Sequence, residues 1–493
     1  MQQLTPLDTQ FLGVESARTF GHVGMLAIYD PSTAPDGRLE VEDLCRLIGR
    51  RMHLLPPLTR RLVDVPLGID LPYWVEDPDF DLDFHVRETA VPPPGDDRQL
   101  AETVARIFAR PLDRSRPLWE IYLVRGLPDG RVGLLTKVHH AAADGISGNE
   151  ILTTLLDPTP EEREVEPPPD GDRDGGRGER MPGQLDMLAR GVLGVPRHPL
   201  RAAKALPRLP DVLAVPGANA LPGVPQLSRG LARLRGVRRS LETEALLEVT
   251  TARPPRTWFN GPISAHRRVA FGSLPLEQVK AVKKAAGTTV NDVVVTLCAA
   301  AVREWLLERG QLPDEPLVAM VPVSVRTRAE RGAFGNRISA MTVPIPTDEA
   351  DAAKRLARSH ALLRGAKAIH RALPATLLTD ATSVIPPAVV SLAARTTVDV
   401  LSRTRPPVNL VISNVPGPRE PLYLAGAELE RTYPVSVIVD GVGLNMTVLS
   451  YRDHVDVGIV ADREQMDDLW SLLDGMRRAL DELERAARDQ AAA

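Results

Sequence analysis

Cysteine is nearly absent: Cys45 and Cys298 are the only two in 493 residues, and neither sits in a C-x-x-C pair. A disulfide framework is therefore excluded, which fits a reducing compartment. No stretch has the run of about 18 apolar residues expected of a spanning helix. Met1 to Pro6 lacks the charged and apolar regions of a signal peptide. There is no excess of positive charge either; a net charge of −4 gives no reason to expect a nucleic-acid partner. The expectation is a cytosolic protein. With 43% apolar and 25% charged residues the chain has the composition of a folded soluble protein, long enough for two to four domains.

What the chain does have is one dense stretch, Leu134 to Gly148, reading LLTKVHHAAADGISG. An apolar strand ends in His139 and His140. Adjacent side chains on an extended segment point to opposite faces, so only one of the two can enter a given cavity. One imidazole is then free to react while the other is packed. Ala141, Ala142 and Ala143 leave space beside the ring. Asp144 is near enough in sequence to hold local geometry, and Gly145 tolerates the angles of a tight turn. A metal site is a poor reading of the same residues. Adjacent histidines diverge, there is no His-x-His or HExxH pattern, and the other histidines (22, 53, 85, 198, 266, 360, 370 and 454) are scattered. No metal is expected.

Around this stretch the chain divides into three parts. Residues 1–156 mix short strands (His22 to Tyr29, Tyr73 to Val75, Phe84 to Val86, Ile121 to Val124) with helices over 40–55 and 100–108. Residues 157–250 change character. Asp157 to Gly183 is rich in Pro, Gly and charge and reads as a solvated linker. Residues 184–240 then set ten Lys or Arg against only Asp186 and Asp211, among Leu, Val and Pro. That composition fits a segment lying on an anionic bilayer, or equally a connector whose leucines pack on the body of the protein. Residues 251–493 return to regular structure. Helices are expected at Leu276–Ala286, closed by Gly287, at Val290 to Leu307, over 349–402 with breaks at Pro374 and Pro386-Pro387, and from about Met466 to Ala487. Strands are expected at Arg268 to Phe271, Leu317 to Val325, Gly335 to Val343, Leu410 to Ser413, Val435 to Val439, Leu444 to Ser450 and Val455 to Val460.

The order of motifs resembles the bacterial wax ester synthase/diacylglycerol acyltransferases. The residues that carry the resemblance are Leu7-Asp8-x-x-Phe11-Leu12, His22-Val-Gly24, Arg110 to Asp113, Pro117-Leu118-Trp119, HHxxxDG at 139–145, Asn291-Asp292, Pro322 to Arg326, Gly335-Asn336 and Ser413 to Pro418. HHxxxDG alone marks a broader superfamily that includes chloramphenicol acetyltransferase and peptide-synthetase condensation domains; the other motifs narrow it to the lipid branch. The resemblance implies an α/β fold of two chloramphenicol-acetyltransferase-like domains, each a mixed sheet with flanking helices, facing each other across a tunnel. It implies acyl transfer from acyl-CoA, as co-substrate and not a bound cofactor, to the hydroxyl of a diacylglycerol or a long-chain alcohol. An acceptor from secondary metabolism stays open, as does a lipid-binding or droplet-surface protein of the same fold without turnover. The Arg- and Ala-rich composition suggests a lipid-storing high-GC bacterium, which favours triacylglycerol. The expected setting is the inner face of the plasma membrane or a lipid droplet.

The residue roles follow from the same resemblance. His140 is the general base, suited to take the proton of an alcohol whose own pKa lies far above neutrality. Asp144 either joins a relay or fixes the loop by pairing with an arginine, for which Arg326 is the candidate; His139 and Gly145 support the site. Asn291 donates to the oxyanion, orients His140, or caps a helix, and Asp292 is structural. Pro117, Leu118, Trp119, Ser413, Asn414 and Asn445 are candidates for the tunnel wall, with Pro117 and Trp119 shaping either that wall or the start of a strand.

Overall fold

A computed structural model describes residues 1–143, 154–167, 182–194, 241–324, 338–372 and 406–492. Among these the strands are β1 (Gln2–Gln3), β2 (His22–Asp30), β3 (Arg60–Val63), β4 (Tyr73–Glu76), β5 (Val86–Ala90), β6 (Trp119–Arg125), β7 (Val132–His139), β8 (Arg267–Pro275), β9 (Leu317–Ser324), β10 (Ile338–Ile345), β11 (Leu410–Pro416), β12 (Tyr423–Leu424), β13 (Ala427–Val435), β14 (Leu444–Tyr451) and β15 (His454–Asp462). They form two six-stranded mixed sheets and a small antiparallel one, β1-β4-β3.

The first large sheet runs β12-β13-β2-β7-β6-β5, antiparallel except where β5 meets β6. Its central strands read as continuous apolar runs because both faces are covered. On one face Ala27, Leu134 and Leu123 pack on Leu44, Leu47 and Ile48 of the helix Val41–Arg51. On the other, Leu26, Leu135 and Tyr122 pack on Leu100 and Val104 of the helix Asp97–Phe108 and reach Val269 and Phe271 of β8. Each such leucine contributes about 1.5–3 kcal/mol by leaving water.

The second sheet runs β10-β9-β11-β14-β15-β8, with β9, β11 and β14 parallel. The helices Leu276–Ala286, Val290–Glu308, Ala352–Ala372 and Trp470–Ala492 contribute to the core on it. Gly287 at φ 64° ends the first of these, and the next leaves at 105°. From Val293 to Val302 the helix Val290–Glu308 is buried on every side and almost wholly apolar because it lies within this core. No single helix among the described residues is long and apolar enough to cross a membrane.

Two expectations are corrected. The strand placed at Val435–Val439 lies instead at Ala427–Val435, and with β12 it leaves its own half of the chain to extend the first sheet beside β2. The sheets are thus interlocked by a strand that a division at residue 251 assigns to the second domain. Phe84 and His85, expected in a strand, belong to a helical turn, Leu82–His85, whose ring stacks on Trp119.

Candidate active site

Strand β7 ends at His139, and His140 opens the helical turn His140–Ala143, so the pair is split between two kinds of backbone. The neighbouring strands dictate the break. The His139 N–H donates to the Leu118 carbonyl (2.9 Å), whereas the His140 N–H donates to the Gly21 carbonyl (2.8 Å), just before β2 begins.

The two rings have opposite surroundings. His139 is fully buried; its Nδ1 accepts the Ala141 N–H at 3.1 Å, and its Nε2 lies 3.1 Å from Glu15 Oε1 in a bent approach. Glu15 Oε1 also accepts the Gly21 N–H (2.8 Å), and Oε2 accepts Arg114 Nε (3.1 Å). Burial alone would raise the Glu15 carboxyl, but His139, Gly21 and Arg114 together bring it down to about 2. His140 is instead stacked flat on Phe11, with ring centres 4.0 Å apart and planes 12° from parallel. Burial pushes its pKa down to about 4, a backbone hydrogen bond opposing and the adjacent His139 adding to the fall. The ring is therefore neutral near pH 7, the form that accepts a proton. Phe11 sits in the helix Pro6–Gly13, opened by a reciprocal Thr5–Asp8 cap.

A second group gathers on the other sheet. The Asn291 side chain accepts from Asn414 Nδ2 at 3.4 Å, which leaves the Asn291 Nδ2 as a donor. Asn291 is not the helix cap: Thr289 is, in a reciprocal box in which Asp292 Oδ2 accepts the Thr289 N–H at 2.8 Å. Asp292 is buried and its Oδ2 also meets His360 Nδ1 at 2.7 Å. It anchors the helix end that presents Asn291. Ser413 and Asn414 are half-buried near the end of β11.

Four of the tunnel-wall candidates are placed otherwise. Pro117 is buried, and Leu118 and Trp119 are wholly buried in the first core. The Trp119 indole donates to the Leu58 carbonyl at 2.7 Å and stacks on His85, so its ring is committed to packing. Asn445 is buried too, donating to Ser436 Oγ and the Val437 carbonyl and accepting from Thr447. An amide with its bonds satisfied by neighbours is a strand support, not a lining group. Asp144, Gly145 and Arg326 lie outside the described residues. Among the described residues no three His, Cys, Asp or Glu side chains gather as metal ligands. A hollow of about 370 Å³ bordered by Arg303, Arg355 and Arg478 touches none of the residues above.

The sequence reading missed Glu15. It stands 124 positions before His139 on an irregular segment, and only its place three residues after Leu12 in the N-terminal motif marks it.

Residues 4–294 match the model of the wax ester synthase/diacylglycerol acyltransferase catalytic domain, and residues 334–484 that of its C-terminal domain. The chain belongs to this family. It is accordingly an acyltransferase. Among its relatives, a probable diacylglycerol O-acyltransferase of Mycobacterium tuberculosis is 34% identical over 494 residues, 99% of both chains. A second, putative one from the same organism is 36% identical over 490 residues, 98% of this chain and 99% of that one. The wax ester synthase/diacylglycerol acyltransferase of Marinobacter aquaeolei has a similar structure, with a TM-score of 0.66 at 30% identity over 99% of this chain and 100% of that one. A trichothecene 15-O-acetyltransferase of Fusarium sporotrichioides shares the fold alone (TM-score 0.55, 14% identity, 99% and 94% covered). The likeness extends to peptide-synthetase condensation domains, so the two-sheet architecture is that of the chloramphenicol-acetyltransferase-like enzymes.

Proposed function

We propose that this acyltransferase moves a long acyl chain from acyl-CoA to the hydroxyl of a diacylglycerol or a long-chain alcohol, with His140 as general base. The observation that carries the reading is the His140 ring stacked flat on Phe11, at the end of a strand that fixes its backbone and in surroundings that favour the neutral imidazole. In the reaction His140 takes the hydroxyl proton as the oxygen attacks the thioester carbon. The tetrahedral intermediate then collapses with loss of the C–S bond, and the imidazolium returns the proton to the leaving thiolate. A low resting pKa is compatible with this role. The imidazolium forms only together with the oxyanion, whose negative charge offsets what the apolar pocket lacks. Asn291 Nδ2 is the proposed oxyanion donor.

The acceptors are lipids, and a lipid surface is the proposed partner of the protein. Two observations support it: the basic, leucine-bearing composition of 184–240, and two neighbouring elements with bare leucines. Leu67 is 83% exposed on a tight turn and Leu185 81% exposed on the helix Gln184–Gly194.

Radiolabelled palmitoyl-CoA offered with dioleoylglycerol and hexadecanol, with the products separated, tests the reading. Labelled triacylglycerol or wax ester is the expected result. Its absence with both acceptors overturns the substrate assignment.

A further inference from the structure

We propose that Glu15 is a positioning residue for the reactive imidazole, acting through the His139 ring and anchored by Arg114. This rests on the reading of His140 as the base, and it assigns a role to the first histidine of HHxxxDG as well.

The chain of contacts runs behind His140 without touching substrate. Nδ1 of His139 accepts the Ala141 N–H at 3.1 Å. Ala141 lies in the first turn of a helix, where backbone N–H groups lack intrahelical partners. The ring therefore caps this turn from inside, provided that Nδ1 carries no hydrogen. In a neutral imidazole the hydrogen must then sit on Nε2. What Nε2 faces is Glu15 Oε1, at 3.1 Å. A carboxylate can only accept, so it favours this tautomer. In the opposite tautomer two donors would oppose each other at Ala141.

The rest of the arrangement keeps the carboxylate in place. Arg114 holds its far oxygen through Nε (3.1 Å) and Nη2 (2.5 Å), and the same Nη2 reaches the Leu12 carbonyl (2.9 Å). Gly21 donates its N–H to Glu15 and accepts the His140 N–H. A Cβ on Gly21 would fall 2.5 Å from His139 Nε2, so only glycine lets the chain pass between the carboxylate, the ring and the base. Glu15 thus meets both ends of the His140 turn: through Gly21 before it and through His139 after it.

The test combines turnover with a direct view of the tautomer in ¹⁵N-histidine-labelled protein. Two-bond ¹H–¹⁵N correlations of His139, assigned by its substitution, report which nitrogen is protonated. Glu15→Ala is expected to lose the pure Nε2–H pattern. Its kcat should fall by about 10²-fold, as a misplaced catalytic group does, while KM for acyl-CoA stays within about twofold. Glu15→Gln retains an acceptor oxygen and is expected to keep the pattern and most of kcat. In a His139→Gln background, Glu15→Ala should cost little more, because both changes interrupt one path. Full kcat in Glu15→Ala overturns the proposal. So does a lost kcat with an unchanged His139 pattern, or a loss that persists undiminished in the His139→Gln background. If Glu15→Ala does not fold, Glu15→Gln decides, since a lost Nε2–H pattern there contradicts the assignment. If the wild type turns over no acyl-CoA, the functional reading fails, while the spectrum still shows whether Glu15 sets the tautomer.

Discussion

The two halves of the molecule bury different chemistry. The first sheet surrounds His22, His85, His139, Lys137, Glu120 and the Arg51–Asp157 pair, all with little or no exposure. The second has a broad apolar core, and its buried polar groups include Asn260, Asn409, Asp292 and Asp462 but, among the described residues, no buried histidine. Among the described residues the buried histidines are thus confined to the first half. The second half supplies fixed dipoles, such as the Asn291–Asn414 pair, whose charge does not change with pH. In the proposed reaction one half handles the proton, and the other presents donors to developing charge.

Removing a charge in the first half is the strongest way to sharpen this contrast. Arg51 makes two hydrogen bonds to Asp157 (2.9 and 2.8 Å) and another to the Leu155 carbonyl, and Asp157 in turn pairs its backbone with Tyr423 of the crossing hairpin. Arg51→Ala should cost about 3 kcal/mol, the low end of the range for breaking a buried pair, because Arg163 Nε still lies 3.5 Å from Asp157 Oδ1. Chemical denaturation measures it, and a loss below about 1 kcal/mol would show that water reaches Asp157. In the second half, Asn291→Ala should lower kcat by about 10²-fold with little change in stability. An unchanged kcat would remove Asn291 from the oxyanion site.

The pH dependence divides in the same way. His22, His85 and His140 are all held below their ordinary pKa, mainly by burial. As pH falls below 6.5 the unfolded chain binds protons at these rings before the folded chain does, for His140 down to about 4, so stability falls with pH through that window. Glu15 adds a second loss between about 4.5 and 2, because its folded value lies below its unfolded one. The acid limb of kcat/KM should lie near 4, not near 6.5. A limb at 6.5 would mean that His140 is better solvated than its place on Phe11 implies. The smallest effect concerns the helix that presents Asn291: Thr289→Ala removes its cap and should cost about 1 kcal/mol in thermal unfolding.

How much could be read in the sequence depended on whether a feature is local. The helix Leu276–Ala286 was legible because apolar spacing and Gly287 lie within a dozen residues. The HHxxxDG stretch was legible because its residue types follow one another. Strand β13 was not, since Glu428, Glu430 and Arg431 make it look like a loop, and its partner β2 is some 400 residues away. Trp119 shows a different limit. Its place in a motif beside the histidines suggested a cavity wall or a strand start; it does begin β6, and its indole has a backbone acceptor and a stacking partner inside the core. Asn445 on an apolar strand suggested a tunnel-lining group and is a satisfied support. Glu15 could not be connected to His139 before the chain was folded, because only the path through Gly21 brings them together.

The central claim is that the two adjacent histidines do different work, one as base and one as support. The most direct measurement is acceptor-dependent thiol release from palmitoyl-CoA by wild type and His140→Ala. The account predicts a fall of about 10²–10⁴-fold in kcat in the variant, with the fold retained. Release that survives the loss of the His140 ring would contradict it.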